Sequence, residues 1–227
     1  MYAHQVVDDL KMVDTNDFST KFAKSEIEKM IKNSVKFHVG DLSNGIQKIM
    51  ADRHGEPAFR EESAIEHLPY KLCLIDYTTQ NVVLAPGKFK SSRHGILALD
   101  SNTTLVLWLF TYFDIVGRWV PGPVFYTINK TIGSMNLGPL LNIYAELAKP
   151  EGEQALKLQL EEDNHEISVF NIVAMLLTCK NIVIETVIPS EKLNKKRRKK
   201  GKTEIFEYKT LNVFLPRKSK SSGDLGL

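Results

Sequence analysis

Ten consecutive residues, Thr104 to Phe113, are apolar, aromatic or β-branched without interruption. A strand presents alternate side chains to opposite faces, and here neither face is polar. Only a strand inside a sheet, covered by a layer on each side, tolerates that; an exposed edge would aggregate. The run therefore predicts the central strand of a sheet. Around it lie shorter β-rich runs: Tyr70–Tyr77, Asn81–Leu84, Gly95–Leu99 and Pro123–Thr127. Pro86-Gly87, Asp100-Ser101-Asn102 and Pro121-Gly122-Pro123 separate them, the strand–turn–strand rhythm of an antiparallel meander. Asn181–Ile188 and Thr203–Leu215 read as two further strands.

Helical patterns flank this block. Residues 17–35 carry Phe22, Ala23, Ile27, Met30 and Ile31 on one 3.6-residue face, with Ser19 as N-cap. Val35 to Val39 alternates like a short strand, and Ser43 opens a short helix. Residues 51–67 are polar and read as a surface loop. Gly138-Pro139 opens a helix over Leu140–Lys149 that Pro150 stops. After an acidic segment at 151–166, Glu166–Cys179 is apolar nearly all round. It reads as a buried helix across the sheet, capped by Asp163 or Asn164, with Lys180 at its negative end. The fold class is thus α+β, a largely antiparallel sheet with N-terminal and C-terminal helices packed on it. Residues 1–216 form a single domain and 217–227 a disordered tail.

Charge is placed unevenly. The net charge of the 227 residues is only +3, from 30 Lys and Arg against 27 Asp and Glu. Lys192, Lys195, Lys196, Arg197, Arg198, Lys199, Lys200 and Lys202 crowd eight cations into eleven residues with no acid among them. Without that window 22 cations face 27 acids, so the body is −5 and the basic charge is focused in one arm between the last two strands. Ser190 can cap a helix there and Gly201 stands where a C′ glycine would end it. Such a helix has only Leu193 as an apolar side chain, so packing cannot hold it. Its use is to meet phosphates and release their counterions. Aromatics for base stacking are missing inside it, which predicts backbone contacts without base reading. The competing readings are a solvated charge run, a localisation patch, and docking onto the acidic 151–166 segment or a partner protein.

Catalytic signatures are missing. No dinucleotide-binding glycine pattern, P-loop, paired-histidine zinc motif or C-x-x-C occurs, nor the G-x-S-x-G elbow. The six histidines have no metal-site spacing, and no cofactor is implied. Asp76, His94, Asp100, Asp114 and Arg118, at strand ends, are the least weak enzyme candidates; as turn and surface residues they need no such role. His38 reads as a half-buried strand histidine. Cys73 and Cys179 read as buried, reduced thiols. With no signal-peptide pattern and no apolar run of membrane-spanning length, a cytoplasmic protein is expected.

The C-terminal third also carries a resemblance. A buried helix ends in Cys179-Lys180-Asn181, a strand follows, and Lys192 to Lys202 leads into Tyr208-Lys209-Thr210-Leu211. This resembles the closing region of uncharacterised proteins encoded by bacteriophages and prophages. Leu68-Pro69-Tyr70, followed by a cysteine and by Asp76-Tyr77, fits the same group. The resemblance implies an origin, with a host-cell cytoplasm as compartment, and no mechanism. Many such relatives continue into an Arg/His-rich segment, where this sequence has Arg217-Lys218-Ser219-Lys220 and a Ser/Gly tail. Together these readings predict a phage-type accessory protein that binds nucleic acid through the arm. An inhibitor or adaptor docking a host protein is the alternative, and an enzyme using Asp76, His94 or Asp114 the remote one.

Overall fold

The computed structural model describes residues 1–19, 23–41, 68–79, 91–147, 149–178 and 182–213. Among them eight strands form one sheet: β1 Val35–Asp41, β2 Leu72–Thr78, β3 Ser91–Asp100, β4 Thr104–Phe113, β5 Arg118–Asn129, β6 Met135–Pro139, β7 Ile182–Val187 and β8 Tyr208–Val213. Their order is β6-β5-β4-β3-β2-β1-β8-β7. Only β1 runs parallel to its neighbours, β2 and β8; every other pair is antiparallel. The α-helices are α1 Ala3–Leu10, α2 Ala23–Asn33, α3 Ile143–Leu147, α4 Glu153–Thr178 and α5 Glu191–Lys199. This is the expected α+β fold. The predicted helix at Ser43, the loop at 51–67, the strand at 81–84, Cys179, Lys180 and the tail lie outside the described residues.

The sheet is apolar on both faces and both are covered. On one, Phe37, Ile75, Tyr77, Ile96, Leu107 and Leu109 meet Val169, Phe170 and Val173 of α4 in the larger core. On the other, Leu74, Leu97, Phe110 and Trp119 meet Val6, Val7 and Leu10 of α1 and Ile27 and Ile31 of α2. Thr104–Phe113 is an interior strand as its composition requires, but β3 and β2 lie nearer the middle. Its Trp108 is only half-buried against the second core, whereas Trp119 of β5 is 1% exposed.

Several local expectations are corrected. Pro121-Gly122-Pro123 is no turn but part of β5. There the register against β4 slips, from Phe110 opposite Pro121 to Trp108 opposite Phe125. A bulge frees a proline from donating to the ladder, so the two prolines mark the irregularity, not the end of the strand. Gly138-Pro139 belongs to β6. A Cβ at Gly138 would lie 2.5 Å from the Phe125 ring, so the glycine lets that ring lie across the neighbouring strand. From Glu153 on, the acidic segment is the first half of α4, which runs unbroken because nothing between Glu153 and Thr178 interrupts a helix; Glu151 precedes it in the 3-10 turn Pro150–Gly152. Asp163 is therefore inside the helix and accepts the Tyr126 hydroxyl at 2.6 Å, rather than capping an end. The Ser19 hydroxyl donates to the Pro139 carbonyl at 2.8 Å; residues 20–22, between Ser19 and the described part of α2, lie outside the described residues.

Burial pushes the Cys73 thiol up to about 12, with Asp100 adding to it, so it is inert at neutral pH. Among the described residues no helix is long and apolar enough to cross a membrane.

Replacing Trp119 with Ala is expected to cost roughly 3–5 kcal/mol in urea unfolding, a typical price for emptying a large core site. Trp108→Ala should cost clearly less. Equal losses, or a larger loss at Trp108, would contradict this assignment of the two cores.

Candidate functional site

The cationic window sits on α5 and the turn after it. Gly201 has φ +65°, and the Gly201 and Lys202 N–H groups donate to the Arg198 and Arg197 carbonyls at 3.0 and 3.1 Å. That pairing closes the last turn and stops the helix at the glycine. At about 100° per residue, Lys192, Lys195, Lys196 and Lys199, spaced i, i+3, i+4 and i+7, fall on one stripe. All four are exposed, as are Lys200 and Lys202. None of these six lysines has an ion-pair partner among the described residues.

The two arginines behave differently. Arg197 Nη2 pairs with Asp8 of α1 at 3.0 Å, and its Nε donates to the Thr203 carbonyl at 2.6 Å. Asp8 also accepts the Thr203 N–H at 2.8 Å, and Lys11 reaches both Asp8 and the Thr203 hydroxyl. Burial raises the Asp8 pKa, but the Thr203 and Lys11 donors outweigh it and hold the carboxylate below its usual range. Arg198 bridges Glu191 and Glu204. Asn194, buried on the helix side away from the lysine stripe, exchanges hydrogen bonds with the Ile205 backbone at 2.8 and 3.0 Å. The segment is thus not an unsupported arm. Polar contacts, which an apolar count overlooks, fasten α5 to α1 and to the chain leading into β8.

The strand-end candidates do not form one cluster. Asp76, 1% exposed, accepts the Tyr2 N–H at 2.8 Å and is hydrogen-bonded to His38 Nδ1. His38 keeps Nε2 without a hydrogen-bond partner among the described residues, its ring flanked edge-on by Tyr2 and Tyr208. A carboxylate that fixes the imidazole tautomer is the orienting half of an acid–base pair. No hydroxyl or thiol among the described residues lies within hydrogen-bond reach of Nε2 to serve as nucleophile.

His94 belongs to the opposite face, stacked on Tyr77 with 5.1 Å between centroids. Its Nδ1 meets Glu166 at 2.9 Å and its Nε2 meets Thr79 Oγ1 at 3.3 Å. The connectivity is that of a hydroxyl–imidazole–carboxylate triad. Thr79 is nonetheless buried, and its own N–H donates to the Ser92 carbonyl at 3.0 Å, so that amide is already engaged and does not serve as an oxyanion donor. We read this set as a polar interior beneath α4, in which Glu166 Oε2 and the Tyr77 hydroxyl are buried without a hydrogen-bond partner among the described residues. Asp100 holds Lys130 at 2.6 Å and the Leu68 N–H at 2.7 Å, at the far end of β3. Asp114 accepts a long bond from Ser92, and Arg118 is exposed. Among the described residues no three metal-ligating side chains converge.

Sequence reasoning missed α1, although Ala3, Val6, Val7 and Leu10 recur at i, i+3, i+4 and i+7. It also missed Lys36, buried in β1, whose ammonium donates to the Lys32 and Ser34 carbonyls and lies 4.5 Å from the Phe206 ring. Burial lowers its pKa to about 8. A groove of about 520 Å³ opens where α1, the β4–β5 turn and the end of α5 meet, lined by Met12, Arg93, Tyr112, Arg197 and Lys202 among others. A second groove of the same volume beside α2 is walled by polar side chains, Lys29 and Lys32 there being paired with Glu26 and Glu28. Comparison with protein-family models, curated proteins and solved structures finds no match to this chain.

His4, in α1 beneath this anchor, is 5% exposed. Burial first, and the Arg197 guanidinium second, lower its pKa to about 4. The unfolded side chain titrates near 6.5. Between those values the unfolded chain binds a proton the folded one refuses, so stability falls as pH falls from about 6.5 to about 4. His4→Gln should remove that share, leaving a shallower acid limb in urea midpoints measured at pH 7, 5.5 and 4.5. Parallel pH profiles for parent and variant would show that His4 is not held neutral.

Proposed function

We propose that this protein binds the phosphate backbone of nucleic acid, without base specificity, through the lysine stripe of α5. The observation that carries this reading is the division on α5. Both arginines and Asn194 are engaged with neighbouring residues, while six lysines are exposed and have no ion-pair partner among the described residues. A row of ammonium groups at one-turn spacing, on a body of opposite net charge, attracts a polyanion and releases its counterions. Lysine is a hydrated point charge, without the planar fork that reads base edges bidentately. Such a surface holds backbone and leaves sequence unread. The likeness of the C-terminal third to phage-encoded proteins supports the setting of a phage-type accessory protein.

On duplex DNA, four to six such contacts are expected to give a slope of roughly −4 to −5 for log K against log salt. Replacing Lys192, Lys195, Lys196 and Lys199 with Gln should flatten the slope markedly and weaken binding alike on unrelated sequences. The fold should survive, because all four side chains are exposed and unpaired. Arg197 and Arg198 are unsuitable targets, since changing them would loosen the helix itself. No binding by the parent at low salt, or parent-like binding by the fourfold variant, would reject this function. An adaptor docking a host protein would then lead.

A further inference from the structure

We infer that the groove at the end of α5 is a subsite for one unstacked nucleotide, which makes single-stranded nucleic acid the preferred ligand of the surface just described. The inference rests on that function and adds the strand type.

Position is the first argument. Gly201 and Lys202, immediately after α5, form one wall of the groove. Lys202 is also one of the six exposed lysines, so the groove and the cationic surface share a side chain. Chemistry is the second. The lining joins cations to apolar surface, which a nucleotide needs for its phosphate and its base. Met12 lines it and is 75% exposed, which leaves a flexible apolar side chain available to a ligand. The half-buried Tyr112 ring faces it from β4. Ile115 and Val116, 74% and 53% exposed, stand on the same β4–β5 turn as the lining Gly117.

Preorganisation is the third argument. The Arg93 guanidinium carbon lies over two rings, 4.5 Å from the Tyr112 centroid and 5.3 Å from that of Tyr2. Two aromatic contacts thus hold the guanidinium at the groove before any ligand arrives. The carboxylates of the lining are already committed. Asp8 holds Arg197, Thr203 and Lys11, and Asp9 accepts the Trp119 N–H at 2.8 Å. They therefore oppose an incoming phosphate less than two free acids would. Size selects the strand type. About 520 Å³ lies within the ~300–1,000 Å³ of small-ligand clefts and admits one splayed base with its sugar. A duplex keeps its bases stacked inside and can offer this groove only its outer backbone.

The test compares a fluorescein-labelled single-stranded DNA oligonucleotide with a hairpin duplex of the same composition, by anisotropy at one salt concentration. The single strand is expected to bind about tenfold tighter. Met12→Ser removes apolar contact without adding charge, at a side chain too exposed to matter for folding. It should weaken the single strand about tenfold and the duplex less than twofold. A single strand carrying abasic sites should bind the parent as weakly as the normal strand binds the variant. Equal affinity for single strand and duplex, or Met12→Ser leaving the single strand unchanged, overturns the subsite while the backbone-binding function stands. Failure of both ligands to bind at low salt removes that function and the subsite together.

Discussion

A sheet that is apolar on both faces must be covered on both, and an eight-residue helix shares the second cover with α2. Helix α1 is too short to be stable in isolation. It is held because Ala3, Val6, Val7 and Leu10 bury against β5 and its neighbours, and because Asp9 fastens it to the Trp119 backbone. Its other acid, Asp8, accepts Arg197, Lys11 and the Thr203 backbone. One short element thus closes the core and fixes the basic helix to the molecule. The position of α5 is therefore coupled to the packing of the sheet, although α5 itself buries almost nothing apolar.

The buried charges follow a similar economy. Asp76 with His38, Asp100 with Lys130 and Glu166 with His94 each combine a carboxylate with a basic group and hydrogen bonds, as burial demands. They lie on different faces or at different ends of the sheet. Neighbouring strand positions point to opposite sides, so Asp76, opposite Gly95, and His94, opposite Tyr77, belong to separate environments despite adjacent places in the ladder. A row of polar strand-end residues in a sequence suggests a cluster, and the pleat divides it.

How far the sequence could be read follows from the range of each interaction. The Thr104–Phe113 strand, the β7 and β8 strands and the α5 helix with its terminal Gly201 were legible because periodicity and local backbone preference specify them. The bulge at Pro121–Pro123 was not, since proline and glycine signal a turn unless a partner strand is known to absorb the irregularity. Gly138 was misread for a comparable reason: what it accommodates is the Phe125 ring, thirteen residues away. In the candidate site the cationic side chains were evident, but their division into anchors and exposed stripe was not. Asp8 lies 189 residues from Arg197 along the chain, and nothing in either local sequence announces the pair.

That division also bears on what the surface can discriminate. Arginine's rigid fork suits bidentate recognition of bases and carboxylates alike. Here both forks on α5 are turned toward acids and a carbonyl of the chain itself: Arg197 to Asp8 and Thr203, Arg198 to Glu191 and Glu204. The side chains left facing solvent are lysines, whose long stems and mobile ammonium groups adjust to any phosphate spacing. The other guanidinium that lines the groove, Arg93, lies over two tyrosine rings some hundred residues earlier in the chain. A surface built this way spends its geometric precision on holding the helix and on one preorganised pocket, and leaves the rest to charge. If the surface binds nucleic acid as proposed above, discrimination comes from the shape and stacking state of the strand that reaches the groove, and the order of the bases passes unread.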